Sequence, residues 1–322
     1  MKYVTLGKSE LRVSRIAFGT WQLGGDWGST DIDAAVRAIR RAADSGVTFF
    51  DTAQAYGFGA SERLLGEALH GRSRNDFFIA TKGGLRRSGA GVMRDAGADS
   101  IRSGVEQSLR ALSTDYIDLY QIHWPDPHTP FDDTAEALAK LVADGKVLHV
   151  GVSNFDVAQM DAFSATLPVE TLQPPYHLFH REIEHAILSY TREHNIGVLV
   201  YGPLAHGLLG GNLDRTTRFT ADDWRAQSRD FRGANYEYNL KRVNELSEFA
   251  SKELGVTVAQ LAIAWTLANP SVHVAIVGSR SPDHVRDTLS AVELELDEQS
   301  LSRIEDIMCD VIPVAGPSPE MV

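Results

Sequence analysis

Residues 49–69 read FFDTAQAYGFGASERLLGEAL: Asp51 closes an apolar pair, and Tyr56 follows among glycines. Two later apolar runs close on further groups that handle protons. FFIATKGG ends in Lys82 and YIDLYQIHWPDP in His123. A carboxylate, a phenol, an ammonium and an imidazole are together the parts of a proton-transfer site. A phenol titrates near ~10, too high for easy proton traffic in both directions at neutral pH. An ammonium beside it favours the phenolate and lowers that value, and a carboxylate would hold the ammonium charged and in place. Simpler readings exist. Asp51 can hydrogen-bond its own turn or form an ordinary salt bridge with Lys82, and His123 can be a satisfied buried histidine. Lys82 can also be the Schiff-base amine of a barrel isomerase or aldolase, against which the paired Tyr56 and an amide-rich rim argue.

The elements that must position these groups alternate. Short apolar runs predict strands near 15–19, 48–51, 77–81, 116–122, 147–152, 170–173, 197–201 and 273–277. Amphipathic runs between them predict helices at 31–45, 61–70, 99–112, 132–143, 156–165, 182–194, 239–268 (as two helices) and 282–291. Ser61 reads as an N-cap, as do the starts of STDIDAAVRAIRRA and SPDHVRDTL. Glycines in DSGV, ADGKV and HNIGV mark helix ends. The N-terminus alternates like a strand pair around Gly7–Ser9. Eight strands alternating with helices predict a (β/α)8 TIM barrel, read as one domain over 1–322. A doubly wound sheet would usually carry a phosphate loop after its first strand, but GTWQLGGDWGST has neither the dinucleotide glycines nor a Walker lysine.

A barrel places its chemistry at the C-terminal ends of its strands. The second to fourth strands end in Asp51, Lys82 and His123, which should converge because consecutive strands are neighbours. The remaining ends are polar as well: Ser153 and Asn154, then Gln173, then Tyr201, then Gly278, Ser279 and Arg280. A formal charge of −12 argues against nucleic acid as a partner, since phosphate binding needs a basic face. The apolar stretches IGVLVYGPLA and VTVAQLAIAWTLA are too short to span a bilayer, and the N-terminus lacks a signal-peptide core. Cys309 alone cannot form an internal disulfide; it reads as an inert buried thiol in a reducing, cytoplasmic setting. No residue set reads as a metal site.

FFDTAQAYGFGASERLLGEAL, IATKGG, YIDLYQIHW, VGVSNF and VGSRSPDHV, in this order, resemble the aldo-keto reductase family over essentially the whole chain. The resemblance implies a (β/α)8 barrel closed at its bottom by an N-terminal β-hairpin, with an extra C-terminal helix. It implies reversible NADPH-dependent reduction of an aldehyde or ketone, with NADH as an alternative donor. Tyr56 would be the proton donor, Lys82 its tuner, Asp51 the anchor and His123 the group that orients the carbonyl. Ser153, Asn154 and Gln173 would meet the carboxamide, and Tyr201 would stack on the nicotinamide. The loop GPLAHGLLGG, 202–211, resembles the family's pyrophosphate cover, with contacts expected at Gly202, Pro203, Leu204 and Gly207. Gly278, Ser279 and Arg280 precede a helix start, where Arg280 would meet a 2′-phosphate.

Two positions depart from the family. His284 and Thr288 stand where relatives often have glutamine or arginine and then asparagine, and Thr288 cannot make an amide pair with adenine. Trp21, Trp27 and Trp124 would line an apolar substrate pocket. The long segment 212–238 would cover the cofactor. A non-catalytic alternative is a cofactor-binding regulatory subunit like the potassium-channel β subunits, which also resemble this family.

Overall fold

The computed structural model describes residues 1–25, 27–28, 30–89, 91–279 and 281–319. Two short strands, β1 (Tyr3–Thr5) and β2 (Arg12–Ser14), pair antiparallel across a turn at Gly7–Ser9. There follow β3 (Ile16–Gly19), α1 (Ile32–Asp44), β4 (Phe49–Asp51), α2 (Ala60–Leu69) and β5 (Phe78–Gly83). A second hairpin, β6 (Leu85–Ser88) and β7 (Gly91–Arg94), precedes α3 (Ala98–Leu112). The alternation resumes with β8 (Ile117–Ile122), α4 (Phe131–Ala143), β9 (Val147–Ser153), α5 (Val157–Ser164), β10 (Thr171–Gln173) and α6 (Ile187–Glu193). It ends with β11 (Gly197–Tyr201), α7 (Gly233–Glu253), α8 (Val258–Ala268), β12 (Val274–Gly278), α9 (Pro282–Ser290) and α10 (Glu298–Met308).

Strands β3, β4, β5, β8, β9, β10, β11 and β12 close into a parallel barrel in that order. This is the predicted (β/α)8 architecture. Neighbouring parallel strands need a crossover between them, and the helices from α1 to α8 supply these while covering the barrel wall, α7 and α8 sharing one connection. The inward set Ala17, Phe49, Ala80, Leu119, Leu199 and Val274 packs with Leu6, Leu11 and Val13 of the first hairpin, which therefore plugs the bottom. Gly7 makes this approach possible. Its φ is 49°, and a Cβ there would lie 2.4 Å from the Gly197 nitrogen.

Local differences from the sequence reading have local causes. Ser61 is not the cap of α2: Gly59 holds that position, and the Ser61 hydroxyl donates instead to the Thr20 carbonyl at 3.0 Å. Asp31 and Ser281 do cap their helices, each accepting a backbone N–H. In HNIGV it is Asn195, at φ 52°, that takes the left-handed turn, since Gly197 already belongs to β11. The span 182–194 divides into a short 3-10 turn and α6. Helix α7 begins at Gly233, well before the expected 239, which shortens the connecting segment. Cys309 is exposed rather than buried, because it follows the last turn of α10 on the outer side. No helix among the described residues is long and apolar enough to cross a membrane. None of those residues form a group of three or more potential metal ligands.

Candidate active site

Strand alternation sends every second side chain into the barrel, and β5 uses both directions. Thr81 points to α2, where its hydroxyl donates to Glu62 Oε1 at 2.7 Å. Lys82 points inward. Its Nζ donates to Asp51 Oδ1 at 2.6 Å, to the Thr52 carbonyl at 2.9 Å and to Tyr56 Oη at 3.4 Å. Asp51 ends β4, next to β5 in the sheet, so the pairing follows directly from the barrel order. Both partners are buried, with side-chain exposures of 1% for Lys82 and 4% for Asp51. Burial pushes the Lys82 ammonium down, and the adjoining Asp51 carboxylate opposes that shift.

Tyr56 reaches over the mouth from the β4–α2 loop. Its ring meets that of His123 edge-on, with centroids 5.6 Å apart. His123 follows β8, and its Nδ1 is buried without a hydrogen-bond partner among the described residues. Burial, and then the nearby Lys82 charge, hold this imidazole well below its ordinary pKa, so it is neutral. The four residues singled out by their types thus share one corner of the barrel mouth.

The amides occupy the opposite side. Gln173 Nε2 donates to Asp51 Oδ2 at 2.9 Å, which ties that side to the lysine pair. Ser153 Oγ donates to the Gln173 carbonyl at 2.8 Å, and Asn154 Nδ2 donates to the His123 carbonyl at 3.0 Å. Tyr201 Oη donates to Asn154 Oδ1 at 2.9 Å. Asn154 holds this geometry at φ 62°, a left-handed conformation that asparagine tolerates better than most residues.

Above these groups lies a cavity of about 1040 Å³. Asp51, Tyr56, His123 and the amide set line one part of it. Gly202, Pro203, Leu204 and Gly207 border it after β11, and Gly278, Ser279, His284 and Thr288 border its far end. Arg280 lies outside the described residues. Trp21, Trp27 and Trp124 all line the same cavity. Trp21 lies nearly parallel to Tyr56, at 6.3 Å and 23°, and meets Trp27 edge-on at 5.0 Å.

Two further wall residues, His206 and Arg225, did not stand out in the sequence, nor did Trp224 packed against the first of them. His206 belongs to the 202–211 loop, with a left-handed backbone at φ 56°. Burial and then Arg225 push its imidazole down to about 3. Trp224 meets His206 edge-on at 5.1 Å. Arg225 is buried, pairs with Asp223 at 2.6 Å and donates to the His206 carbonyl at 3.0 Å. Its guanidinium also sits 4.7 Å from the Trp27 ring centroid. The expected cover is therefore fastened at Arg225 by charge and aromatic contacts. Its arginines are mixed with acids along the segment, so composition gave no signal that one of them is buried.

Comparison with known proteins agrees with this geometry. A model described as the aldo/keto reductase family matches residues 15–308. Aldo-keto reductase YhdN of Bacillus subtilis (strain 168) is 39% identical over 314 residues, covering 97% of this chain and 95% of the relative. The solved glycerol dehydrogenase AKR11B4 from Gluconobacter oxydans superposes with a TM-score of 0.88 at 40% identity, covering 98% of each chain. An aldo/keto reductase from Klebsiella pneumoniae, solved with NADP and acetate, gives a TM-score of 0.75 at 29% identity, over 99% of this chain and 98% of that one. With the barrel, the polar rim and the sequence all matched across nearly their full length, the chain belongs to the aldo/keto reductase family of oxidoreductases.

Proposed function

We propose that this protein reversibly reduces an aldehyde or ketone to an alcohol, using NADPH or NADH, with Tyr56 as the proton donor. The observation that carries the reading is the buried Lys82 ammonium, held 2.6 Å from Asp51 and 3.4 Å from Tyr56 Oη, both of which line the cavity.

When bound, the dinucleotide supplies a hydride to the carbonyl carbon, which leaves negative charge on oxygen. Tyr56 Oη meets that charge with a proton. Lys82 lowers the cost of the resulting phenolate, and Asp51 keeps Lys82 charged despite its burial. His123 is neutral, with no partner on Nδ1 among the described residues. Placing its proton on Nε2 avoids a buried unsatisfied N–H and leaves a donor for the carbonyl oxygen. In alcohol oxidation the same phenol runs in reverse, as the base.

The residues present suit a nicotinamide dinucleotide. Gln173 Oε1 takes no part in the bonds described above and remains an acceptor for a carboxamide N–H. The Tyr201 ring borders the cavity with its hydroxyl anchored on Asn154. Gly202, at φ 69°, and Gly207, at φ 98°, let the covering loop turn close to a phosphate chain. The relative solved with NADP supports the same cofactor class. Selectivity between the two dinucleotides rests on Arg280, and Thr288 weakens adenine contacts relative to asparagine.

The test is oxidation of NADPH and NADH against a panel of aldehydes, ketones and quinones, with Tyr56→Phe measured alongside. The variant should bind cofactor like the wild type, by fluorescence titration, and lose nearly all turnover. Wild-type turnover in the variant would reject Tyr56 as the acid. Cofactor binding without turnover of any panel member would instead fit a regulatory subunit.

A further inference from the structure

Behind the Lys82 side of the barrel wall, a second acid is buried away from the cavity. Glu62 sits in the first turn of α2 with no solvent exposure. One oxygen accepts from Thr81, whose neighbour along β5 is Lys82. The other oxygen, Oε2, has no hydrogen-bond partner among the described residues, and neither do the buried Ser108 Oγ and Tyr120 Oη. The packing makes room for this group of polar atoms. A Cβ at Gly83 would lie 1.8 Å from Tyr120 Oη, and one at Gly104 would lie 3.1 Å from it. A half-bonded carboxyl in an apolar wall is costly, and an aliphatic side chain there would not carry that cost.

We propose that Glu62 is a positioning residue for proton transfer: its buried charge acts on Lys82 from behind the wall and thereby sets how firmly Tyr56 holds its proton. The inference rests on the role proposed for Tyr56.

The charged and titratable groups around Glu62 are few. Lys82 follows Thr81 along β5 and points the other way, into the barrel, so its charge and that of Glu62 act on each other across the wall, with Asp51 on the far side of that lysine. Tyr120 faces it from β8, and its phenol is pushed far up by burial and then by Glu62, so it stays neutral. On its own helix Arg63 lies on the exposed side, where water screens it. Ser108 on α3 biases the carboxylate without making a hydrogen bond of ordinary geometry. Burial pushes the Glu62 carboxyl up, opposed by Ser108, Thr81 and the two cations. Asp51 and Glu62 together outnumber the single Lys82 charge. With Glu62 ionised the corner is net negative, which stabilises the ammonium and keeps the Tyr56 proton in place. With Glu62 neutral, protons leave the Tyr56–Lys82 pair more readily.

The test is the pH profile of kcat/KM for carbonyl reduction and alcohol oxidation between pH 6 and 10. Glu62→Gln keeps shape and an acceptor for Thr81 while removing the charge. Its alkaline limb should move about one unit lower, raising oxidation near neutrality relative to reduction. Glu62→Asp, which keeps the charge, should return the limb towards wild type. Thr81→Val disturbs the same contact but leaves Glu62 ionised at alkaline pH, so its limb should stay within about 0.3 unit of wild type. A Glu62→Gln profile that superimposes on wild type, or an equal shift in Thr81→Val, overturns the proposal. If Tyr56→Phe retains turnover, the acid assignment itself fails. If Tyr56→Phe is inactive and Glu62→Gln is unshifted, only the role of Glu62 fails.

Discussion

Asp51→Asn should leave the buried Lys82 without its hydrogen-bonded counter-ion, with a consequence that changes with pH in a defined way. Asparagine nearly preserves the shape of aspartate, so packing is not the variable. The amide cannot satisfy both neighbours. If its oxygen faces Lys82 Nζ, its NH2 faces Gln173 Nε2, another donor, in place of the 2.9 Å bond to Asp51 Oδ2. Lys82, at 1% side-chain exposure, retains only the Thr52 carbonyl and Tyr56 Oη as acceptors. Its cheapest response is to lose its proton. Holding a lysine neutral at pH 7 costs about 1.36 kcal/mol for each unit below its unfolded value near 10.4, a ceiling of about 4–5 kcal/mol. The expected destabilisation at pH 7 is therefore about 3–5 kcal/mol, in the range for breaking a buried pair. The sign with pH follows from proton counting. The unfolded variant binds a proton on Lys82 that the folded variant does not, so its stability rises with pH by about 1.4 kcal/mol per unit. The wild-type lysine is charged in both states near neutrality and adds no such slope. Urea unfolding of both proteins at pH 6, 7 and 8 should show the gap narrowing by about 2.7 kcal/mol across the series. A gap independent of pH, or one below about 1 kcal/mol at pH 7, would refute the view that Asp51 is what keeps Lys82 charged.

Tyr56→Phe should lower kcat by about 10²–10⁴-fold, the usual worth of a positioned proton donor, with cofactor affinity unchanged. Gly83→Ala should destabilise by about 1–3 kcal/mol through overpacking, since its Cβ would fall 1.8 Å from Tyr120 Oη. Tyr120→Phe should restore part of that loss by removing the hydroxyl, and equal urea midpoints with and without it would contradict the contact. Native protein should react with a thiol reagent at Cys309 without prior unfolding and keep its activity, because this thiol is exposed. Reaction only after denaturation would contradict that placement.

The alternation of apolar runs and amphipathic helices dictated the barrel, because period-2 and period-3.6 patterns leave few ways to bury both kinds of face. It also located the rim. Asp51, Lys82, His123 and Gln173 are legible as strand ends, and barrel closure then makes their meeting unavoidable. Other features were decided by contacts between segments distant in the chain. The Ser61 hydroxyl has a good capping position by type, yet it serves Thr20, 41 residues away. The β6–β7 hairpin has weak periodicity and rests on the cross-strand pairing of Leu85–Ser88 with Gly91–Arg94. Arg225 looks like any loop arginine until Asp223, Trp27 and the His206 carbonyl surround it. Glu62 reads as an ordinary first-turn acid, and only the packing of α2 and α3 on the barrel removes it from water. Sequence period fixes which way a side chain faces along its own element; burial and partnership depend on what another element brings to it, and no local pattern encodes that distance.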